Sequence, residues 1–382
     1  MFRRMEMPET QKSGWAAVVA FNTLAIVAIL GMGELAARWM AGVDITFQDD
    51  QLPMCRSDPL TIWRYRPGID LNYRTAEFET TIRTNDAGLR DNPIAPEAAG
   101  ATTVLFIGDS FTFGWGVAEE QRYSEVLAHL MTARRPGRQL RIVNAGHWMY
   151  TFDQQLVLMK EMIERYRPAV VVQGFYWMHV RTLFNHRQVR APDGTLKAVE
   201  DWKIKVNDRG ILKFRSDWLE RPPLHSQLVA LVARRLLNRD LLERAGDTVD
   251  YMRPGSTRDA ALWTLTDQLV GETIETLRAA GIAYVPFLIP TSVQVGGAQW
   301  SHVNWTAPTP PSGVDPSLPA ARLAAMFTQK GSDVVRLAAA MRERGGASLY
   351  FPYDGHWTAE GHAVVAEVLA PYLDRALEMQ SR

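Results

Sequence analysis

The sequence of 382 residues has a single cysteine and no net charge, and each shortage excludes a class of protein. Cys55 has no partner for a disulfide within the chain and is expected to be unreactive. No group of cysteine and histidine residues has the close spacing of a structural zinc site. The 42 basic residues are balanced by 42 acidic residues, so the sequence predicts no nucleic-acid partner.

Apolar residues are abundant by contrast. They make up 47% of the chain, which also carries 12 tryptophans, and this is enough for a large buried core. No internal repeat is evident. The composition therefore favours one elaborated domain, residues 101–382, over several small ones.

The N-terminus carries a long uncharged segment, residues 14–33, which is long enough to span a bilayer. Basic residues precede it at Arg3, Arg4 and Lys12. Because positive charge favours the cytoplasmic side, we predict a cytoplasmic N-terminus over 1–13 and a transmembrane signal anchor over 14–40. The remainder would then be periplasmic or otherwise extracytoplasmic, on a single-pass protein of the cell inner membrane. A cleavable signal peptide is the alternative.

Prolines recur through residues 43–100, which predicts an extended segment that approaches the domain. Within this segment, apolar and polar residues alternate over 78–83 and indicate a β-hairpin.

Short apolar runs alternate with helical patterns through residues 101–382. The first run, 104–107, is typical of a strand buried on both faces of a parallel sheet, and an apolar helical face follows over 123–131. Further strands are predicted at 142–144, 170–172 and 284–289. This alternation predicts a doubly wound, three-layer α/β/α sandwich with a parallel sheet, whose site lies at the carboxyl ends of the strands.

An insertion at about 180–265 separates the last two of these strands. Turn signals at 192–194 and 207–210 predict short paired strands, and apolar residues at helical spacing predict a helix from about 226 to 244. The insertion is expected to be either a small lid-like subdomain that faces the substrate or a segment that only packs against the rest of the domain.

Two short motifs carry the residues of a nucleophilic site. Ser110 ends a Gly-Asp-Ser motif after the first buried strand, and Asp354 and His356 belong to an Asp-Gly-His motif near the C-terminus. A serine hydroxyl becomes a nucleophile when an imidazole accepts its proton and a carboxylate orients that imidazole. We therefore predict a triad of Ser110, His356 and Asp354. Asp109 is expected to cap the helix that follows it.

The residues around both motifs resemble those of the SGNH (GDSL-type) hydrolase superfamily, and within it those of membrane-anchored bacterial members. Residues 104–117, VLFIGDSFTFGWGV, resemble the first block of the family, and residues 354–362, DGHWTAEGH, resemble the last. The resemblance implies a flavodoxin-like fold, with Ser110 as the nucleophile, His356 as the base and Asp354 as its orienting carboxylate. It also implies that His362 is a buried structural residue.

The sequence departs from the family at the oxyanion hole, the set of donors that stabilises the negatively charged intermediate. The backbone amides of Ser110 and Met149 are candidates, with Met149 in place of the usual glycine. The family's asparagine is replaced by Met178, and losing one such donor typically costs about 2.7–4 kcal/mol of transition-state stabilisation. We hypothesise that His179 or the Trp177 indole donates instead.

Aromatic and imidazole side chains also cluster in loops that the sequence places near the nucleophile. They are candidate substrate contacts, because a sugar ring stacks well on an aromatic surface; packing within the loops is the alternative. The candidates are His147, Trp148, Trp177 and Trp357.

Together these features favour an extracytoplasmic serine esterase or deacetylase that acts on an acylated small molecule or glycan. A polysaccharide O-acetyltransferase, with a membrane-embedded acyltransferase as a partner, is the alternative among enzymes. A degenerate glycan-binding or assembly protein is the non-enzymatic alternative, and hydrolysis of lipid esters is a third possibility. No cofactor and no metal is expected, because the triad supplies the chemistry.

Overall fold

The computed structural model describes residues 9–41, 52–75, 77–91, 101–182, 250–258, 260–297, 312–352 and 354–380, with four short strands between 188 and 214. The chain divides into two compact units. One comprises Met1–Gln48 and Ser216–Asp240, and the other comprises Asp49–Arg215 and Leu241–Arg382. The helix predicted at about 226–244 lies outside the described residues.

The first unit contains helix α1, which spans Glu9–Ala41. Its segment Val18–Ala36 has a mean hydropathy of 1.9 and is long and apolar enough to cross a membrane. Apolar side chains along this segment are exposed, and Phe21 is 73% exposed. Because a signal sequence has the same length and composition, α1 is either a membrane anchor or a signal sequence.

The second unit begins with two β-hairpins. Strand β1 (Cys55–Asp58) pairs with β2 (Ile62–Tyr65), and β3 (Asp70–Arg74) pairs with β4 (Glu79–Arg83). The alternating residues 78–83 thus form a hairpin strand as predicted. In the described part of the predicted approach segment, residues 52–75 and 77–91, inner side chains of the hairpins such as Trp63 and Tyr73 belong to the core of this unit.

The remaining elements follow in chain order. The first are β5 (Thr102–Gly108), α2 (Ser110–Phe113), α3 (Tyr123–Arg134), β6 (Leu140–Gly146), α4 (Phe152–Tyr166), β7 (Val170–Tyr176) and α5 (Met178–Thr182). In the insertion, β8 (Gln188–Arg190) pairs with β9 (Leu196–Ala198), and β10 (Ile204–Val206) pairs with β11 (Leu212–Phe214). These pairs flank the two predicted turns, which lie outside the described residues. The last elements are α6 (Ala260–Ala279), β12 (Ala283–Ile289), α7 (Leu318–Gln329), β13 (Val335–Arg336), α8 (Ala338–Glu343) and α9 (Ala359–Met379).

Five of the strands form one parallel sheet in the order β6-β5-β7-β12-β13. Side chains along β5 alternate between two cores. Leu105 and Ile107 pack on one face with α4, α6 and α7, and Val104 and Phe106 pack on the other with α3 and α9. This is the predicted doubly wound sandwich. The strand order is flavodoxin-like and reverses direction between β5 and β7, where such sheets bind their ligands.

The end of β6 lies directly against α2. A Cβ atom on Gly146 would lie 2.2 Å from the backbone nitrogen of Phe113 and 2.5 Å from the carbonyl carbon of Thr112. The side-chain amide of Asn144 donates to the Thr112 carbonyl at 2.9 Å and so holds the two elements together. Glycine at position 146 therefore lets α2, which begins at Ser110, pack on the strand end.

We expect Gly146→Ala to lower the free energy of unfolding by about 1–3 kcal/mol, because the added methyl group must displace the backbone of α2. Gly271→Ala is the matched control, since the atoms nearest to its new Cβ belong to the flexible Lys330 side chain, at 3.2 Å. Thermal unfolding of the full-length proteins measures the difference. Equal midpoints for wild type and Gly146→Ala would contradict the close packing.

Candidate active site

Ser110, His356 and Asp354 lie together at the carboxyl end of the sheet. Ser110 is the first residue of α2, directly after β5, whereas Asp354 and His356 lie in the loop that precedes α9. The Nε2 atom of His356 is 2.7 Å from Ser110 Oγ, and its Nδ1 atom is 2.5 Å from Asp354 Oδ1. The structure thus brings the three predicted side chains into one hydrogen-bonded chain, with the imidazole between the hydroxyl and the carboxylate.

The charges of this pair support proton acceptance by the imidazole. Burial disfavours a charge on His356, but the charge and hydrogen bond of Asp354 outweigh it and raise the pKa of His356 above its ordinary value. Burial likewise disfavours a charge on Asp354, but the charge and hydrogen bonds of His356 keep the pKa of this carboxyl below its ordinary value. Asp354 is therefore a carboxylate at neutral pH.

Two further residues hold Asp354, and sequence reasoning did not identify either. The indole Nε1 of Trp115 donates to Asp354 Oδ2 at 3.2 Å, and the backbone N–H of Asp354 donates to Glu77 Oε2 at 2.7 Å. Trp115 lies shortly after α2, and Glu77 lies in the hairpin of β3 and β4. The partners are 239 and 277 residues apart in sequence, so no local pattern could have signalled these contacts.

Met149 has a left-handed backbone conformation, of the kind that glycine adopts most easily. The backbone N–H of Tyr150 donates to the His147 carbonyl at 3.2 Å, which closes a turn, and Met149 is the third residue of that turn with a φ of 61°. Glycine adopts a positive φ at this turn position without strain. For another residue the left-handed conformation costs roughly 1–2 kcal/mol.

The backbone N–H groups of Ser110 and Met149 have no acceptor among the described residues. Ser110 is the first residue of a helix, where an N–H has no partner within the helix. Both groups are therefore available as donors, and their part in an oxyanion hole stays a prediction.

His179 binds a different partner from the one we expected. Its Nε2 atom is 2.7 Å from Oδ2 of Asp109, a fully buried carboxylate. The other oxygen of Asp109 accepts the Phe111 N–H at 3.0 Å, which confirms that Asp109 caps α2. Since Asp109 occupies Nε2, this nitrogen is not free for an oxyanion, and the expectation for His179 is corrected accordingly.

Three of the candidate substrate contacts lie inside the fold, which corrects the expectation that they touch substrate. His147 is 1% exposed and stacks on Tyr65, with ring centroids 4.5 Å apart, and burial lowers the pKa of His147 to about 3. Trp357 has no exposed surface and packs against Phe111. Trp177 is 1% exposed, and its Nε1 has no hydrogen-bond partner in the described part of the chain.

Trp148 is the fourth candidate, and its side chain is partly exposed. Its indole stacks on that of Trp115, with ring centroids 5.2 Å apart and an angle of 10° between the planes. Its backbone N–H donates to the Tyr65 hydroxyl at 2.6 Å. Of the four candidates, Trp148 is therefore the one that is not fully buried.

Two expectations about buried residues are confirmed. His362 is 1% exposed, and its Nδ1 accepts the Tyr123 N–H at 3.2 Å. Burial lowers the pKa of His362 to about 3, so its imidazole is neutral. Cys55 is buried, and burial raises the pKa of its thiol to about 12, which favours the protonated form over the reactive thiolate.

Comparison with protein families gives a match over the C-terminal part of the chain. Residues 250–382 match the family described as "SGNH hydrolase-like domain, acetyltransferase AlgX". This part of the chain, which contains Asp354 and His356, is therefore similar to an SGNH hydrolase-like domain, in agreement with the resemblance of the motifs.

Solved structures give weaker likenesses. TesA is 15% identical, with 72% of this chain and 99% of that chain covered and a TM-score of 0.37. A putative lipolytic protein of the G-D-S-L family from Desulfitobacterium hafniense DCB-2 is 13% identical over 71% and 98%, with a TM-score of 0.37. The lipase/acylhydrolase from Enterococcus faecalis is 10% identical over 72% and 96%, with a TM-score of 0.40. No curated protein matches the chain in sequence.

We expect kcat/KM for an activated ester such as 4-nitrophenyl acetate to fall as the pH drops through the pKa of His356, because only a neutral imidazole accepts the Ser110 proton. Since Asp354 raises that pKa, the midpoint should lie above the ordinary histidine value of about 6.5. Asp354→Asn removes the charge and should move the midpoint to lower pH.

The same substitution should also reduce kcat, by analogy with the roughly 10⁴-fold loss in a Ser-His-Asp protease. If the low-pH limb of the kcat/KM profile, the acid limb, has the same midpoint in Asp354→Asn as in the wild type, the electrostatic pairing of Asp354 with His356 is contradicted.

Proposed function

We propose that the protein is a serine esterase that removes acyl groups from O-acylated glycans through an acyl-enzyme on Ser110. The observation that carries the proposal is the hydrogen-bonded chain from Asp354 through His356 to the Ser110 hydroxyl. The match of residues 250–382 to an SGNH hydrolase-like domain supports the same class of chemistry.

In the first half of the reaction, Ser110 Oγ attacks the carbonyl carbon of the ester while His356 Nε2 accepts its proton. The carbonyl oxygen becomes an oxyanion, for which the N–H groups of Ser110 and Met149 are the available donors. Asp354 stabilises the imidazolium that has formed. His356 then returns the proton to the departing sugar oxygen, and the acyl group stays on Ser110.

In the second half, water takes the place of the sugar. His356 accepts a proton from the water molecule while the water oxygen attacks the acyl carbon. His356 then returns that proton to Ser110 Oγ. The products are the free acid and the original enzyme. The partly exposed Trp148 indole supports a glycan as the substrate, because the C–H face of a sugar ring packs well on an aromatic ring.

An O-acetyltransferase is the second candidate, and the description of the matched family as an acetyltransferase favours it. Such an enzyme would form the same acyl-enzyme, but a sugar hydroxyl would take the place of water. An acyl donor presented by a membrane-embedded acyltransferase fits this candidate. In either case we propose that α1 anchors the protein in the cell inner membrane, with its catalytic unit on the extracytoplasmic side.

The first test is labelling of the full-length protein in detergent with a fluorophosphonate, which reacts with an activated serine. We expect Ser110→Ala and His356→Ala to abolish labelling, because one lacks the nucleophile and the other lacks its base. Ser348→Ala and His129→Ala are matched controls at exposed positions and should label as the wild type does. A folded wild-type protein that takes no label would contradict the proposal and favour a glycan-binding protein.

The choice between water and a sugar hydroxyl needs an acetyl ester and an oligosaccharide acceptor in one reaction. We expect acetate to be released at the same rate with and without the acceptor, because water resolves the acyl-enzyme in a hydrolase. Mass spectrometry of the acceptor and an assay for acetate provide the measurements. Acetylation of the acceptor, with a matching fall in acetate, would overturn the esterase and support the transferase.

A further inference from the structure

We propose that Trp115 is a positioning residue of the triad, because its indole N–H holds one oxygen of Asp354 while the other oxygen faces His356. This inference rests on the proposed function, since it concerns the same three side chains.

The two oxygens of Asp354 have separate donors. Oδ1 accepts from the ring Nδ1 of His356 at 2.5 Å and from its backbone N–H at 3.2 Å, whereas Oδ2 accepts from the Trp115 indole at 3.2 Å. The torsion that turns a carboxylate about its Cβ–Cγ bond has only a broad intrinsic preference. A donor on the second oxygen limits this rotation and so keeps Oδ1 directed at the imidazole.

The indole itself is held on several sides. Trp115 is 5% exposed and packs against the stacked ring of Trp148 and the tilted ring of Tyr73, whose centroids are 5.2 Å and 5.0 Å from its own. Its backbone N–H donates to the Ser110 carbonyl at 3.0 Å. One residue therefore contacts the backbone of the nucleophile and the carboxylate of the triad.

Packing alone does not explain where the indole N–H points. The Nε1 atom of Trp177 is buried without a hydrogen-bond partner among the described residues, so an indole can pack in this core without one. The Nε1 of Trp115 meets a carboxylate instead, and a hydrogen bond to an ionised acceptor is stronger than one between neutral groups.

The test is Trp115→Phe in the full-length protein, which keeps a stacked ring and removes the N–H. We expect kcat to fall by up to about 100-fold and KM to change by less than about twofold. The reason is that removing the indole N–H disturbs the alignment of the triad and not the binding of the substrate ground state. The acid limb of the pH profile should move to lower pH, since a looser Asp354 supports the imidazolium less well.

The matched control is Trp263→Phe, which removes a buried indole from α6 and should leave kcat and the acid limb unchanged. In an Asp354→Asn background, Trp115→Phe should reduce kcat much less than it does in the wild type. The reason is that both substitutions weaken the same hydrogen bond, the one between residue 354 and His356. Replacement of Trp115 by benzothienylalanine removes the N–H at almost constant shape, and it provides the same comparison if the phenylalanine variant does not fold.

Each outcome separates this inference from the proposed function. A wild-type protein with neither labelling nor turnover would contradict the proposed function itself. An active wild type with unchanged kcat in Trp115→Phe would overturn the positioning role alone. A fall in kcat with an unmoved acid limb, or equal losses in both backgrounds, would make Trp115 a packing residue and would also overturn it.

Discussion

The position of Ser110 depends on the contact between the backbones of α2 and β6, which the lack of a side chain at Gly146 permits. A buried cation then fixes the turn that follows α2. The Arg90 guanidinium donates to the carbonyls of Phe113 at 3.1 Å and Val117 at 2.8 Å, and also to that of Gly114. Because a buried, charged arginine donates to several carbonyls of this turn, the backbone of the turn is held in one conformation. These contacts fix the position of Ser110 through the surrounding backbone, independently of His356 and Asp354.

The N-terminal hairpins are part of the site and not merely a path towards it. Tyr65 from β2 accepts the Trp148 N–H, Tyr73 from β3 packs on Trp115, and Glu77 accepts the Asp354 N–H. These residues precede the α/β sheet in sequence, yet they contact the loops that carry Asp354, Trp115 and the partly exposed Trp148. A chain that began just before β5 would lose these contacts.

The sequence predicted the features that follow from periodicity and local chemistry. Buried strands such as 104–107 have an apolar pattern of their own, and a carboxylate just before a helix has a strong tendency to cap it, as Asp109 does. It could not predict which aromatic residues reach the surface. His147 and Trp148 are adjacent, but the ring of one is enclosed by Tyr65 and the other is partly exposed. Contacts such as Trp115 with Asp354 depend on tertiary packing, which no short segment encodes.

The hydrogen bond between His356 and Ser110 joins residues that are 246 positions apart. During synthesis Ser110 therefore emerges long before its base, and α9 must dock on the sheet before the imidazole can reach the hydroxyl. Contacts of such long sequence separation form late in folding, because closing a long loop costs entropy before any contact offsets it. An unfinished chain therefore holds Ser110 without its imidazole partner, and the hydrogen-bonded chain from Asp354 to Ser110 forms only when the C-terminal end of the domain is in place.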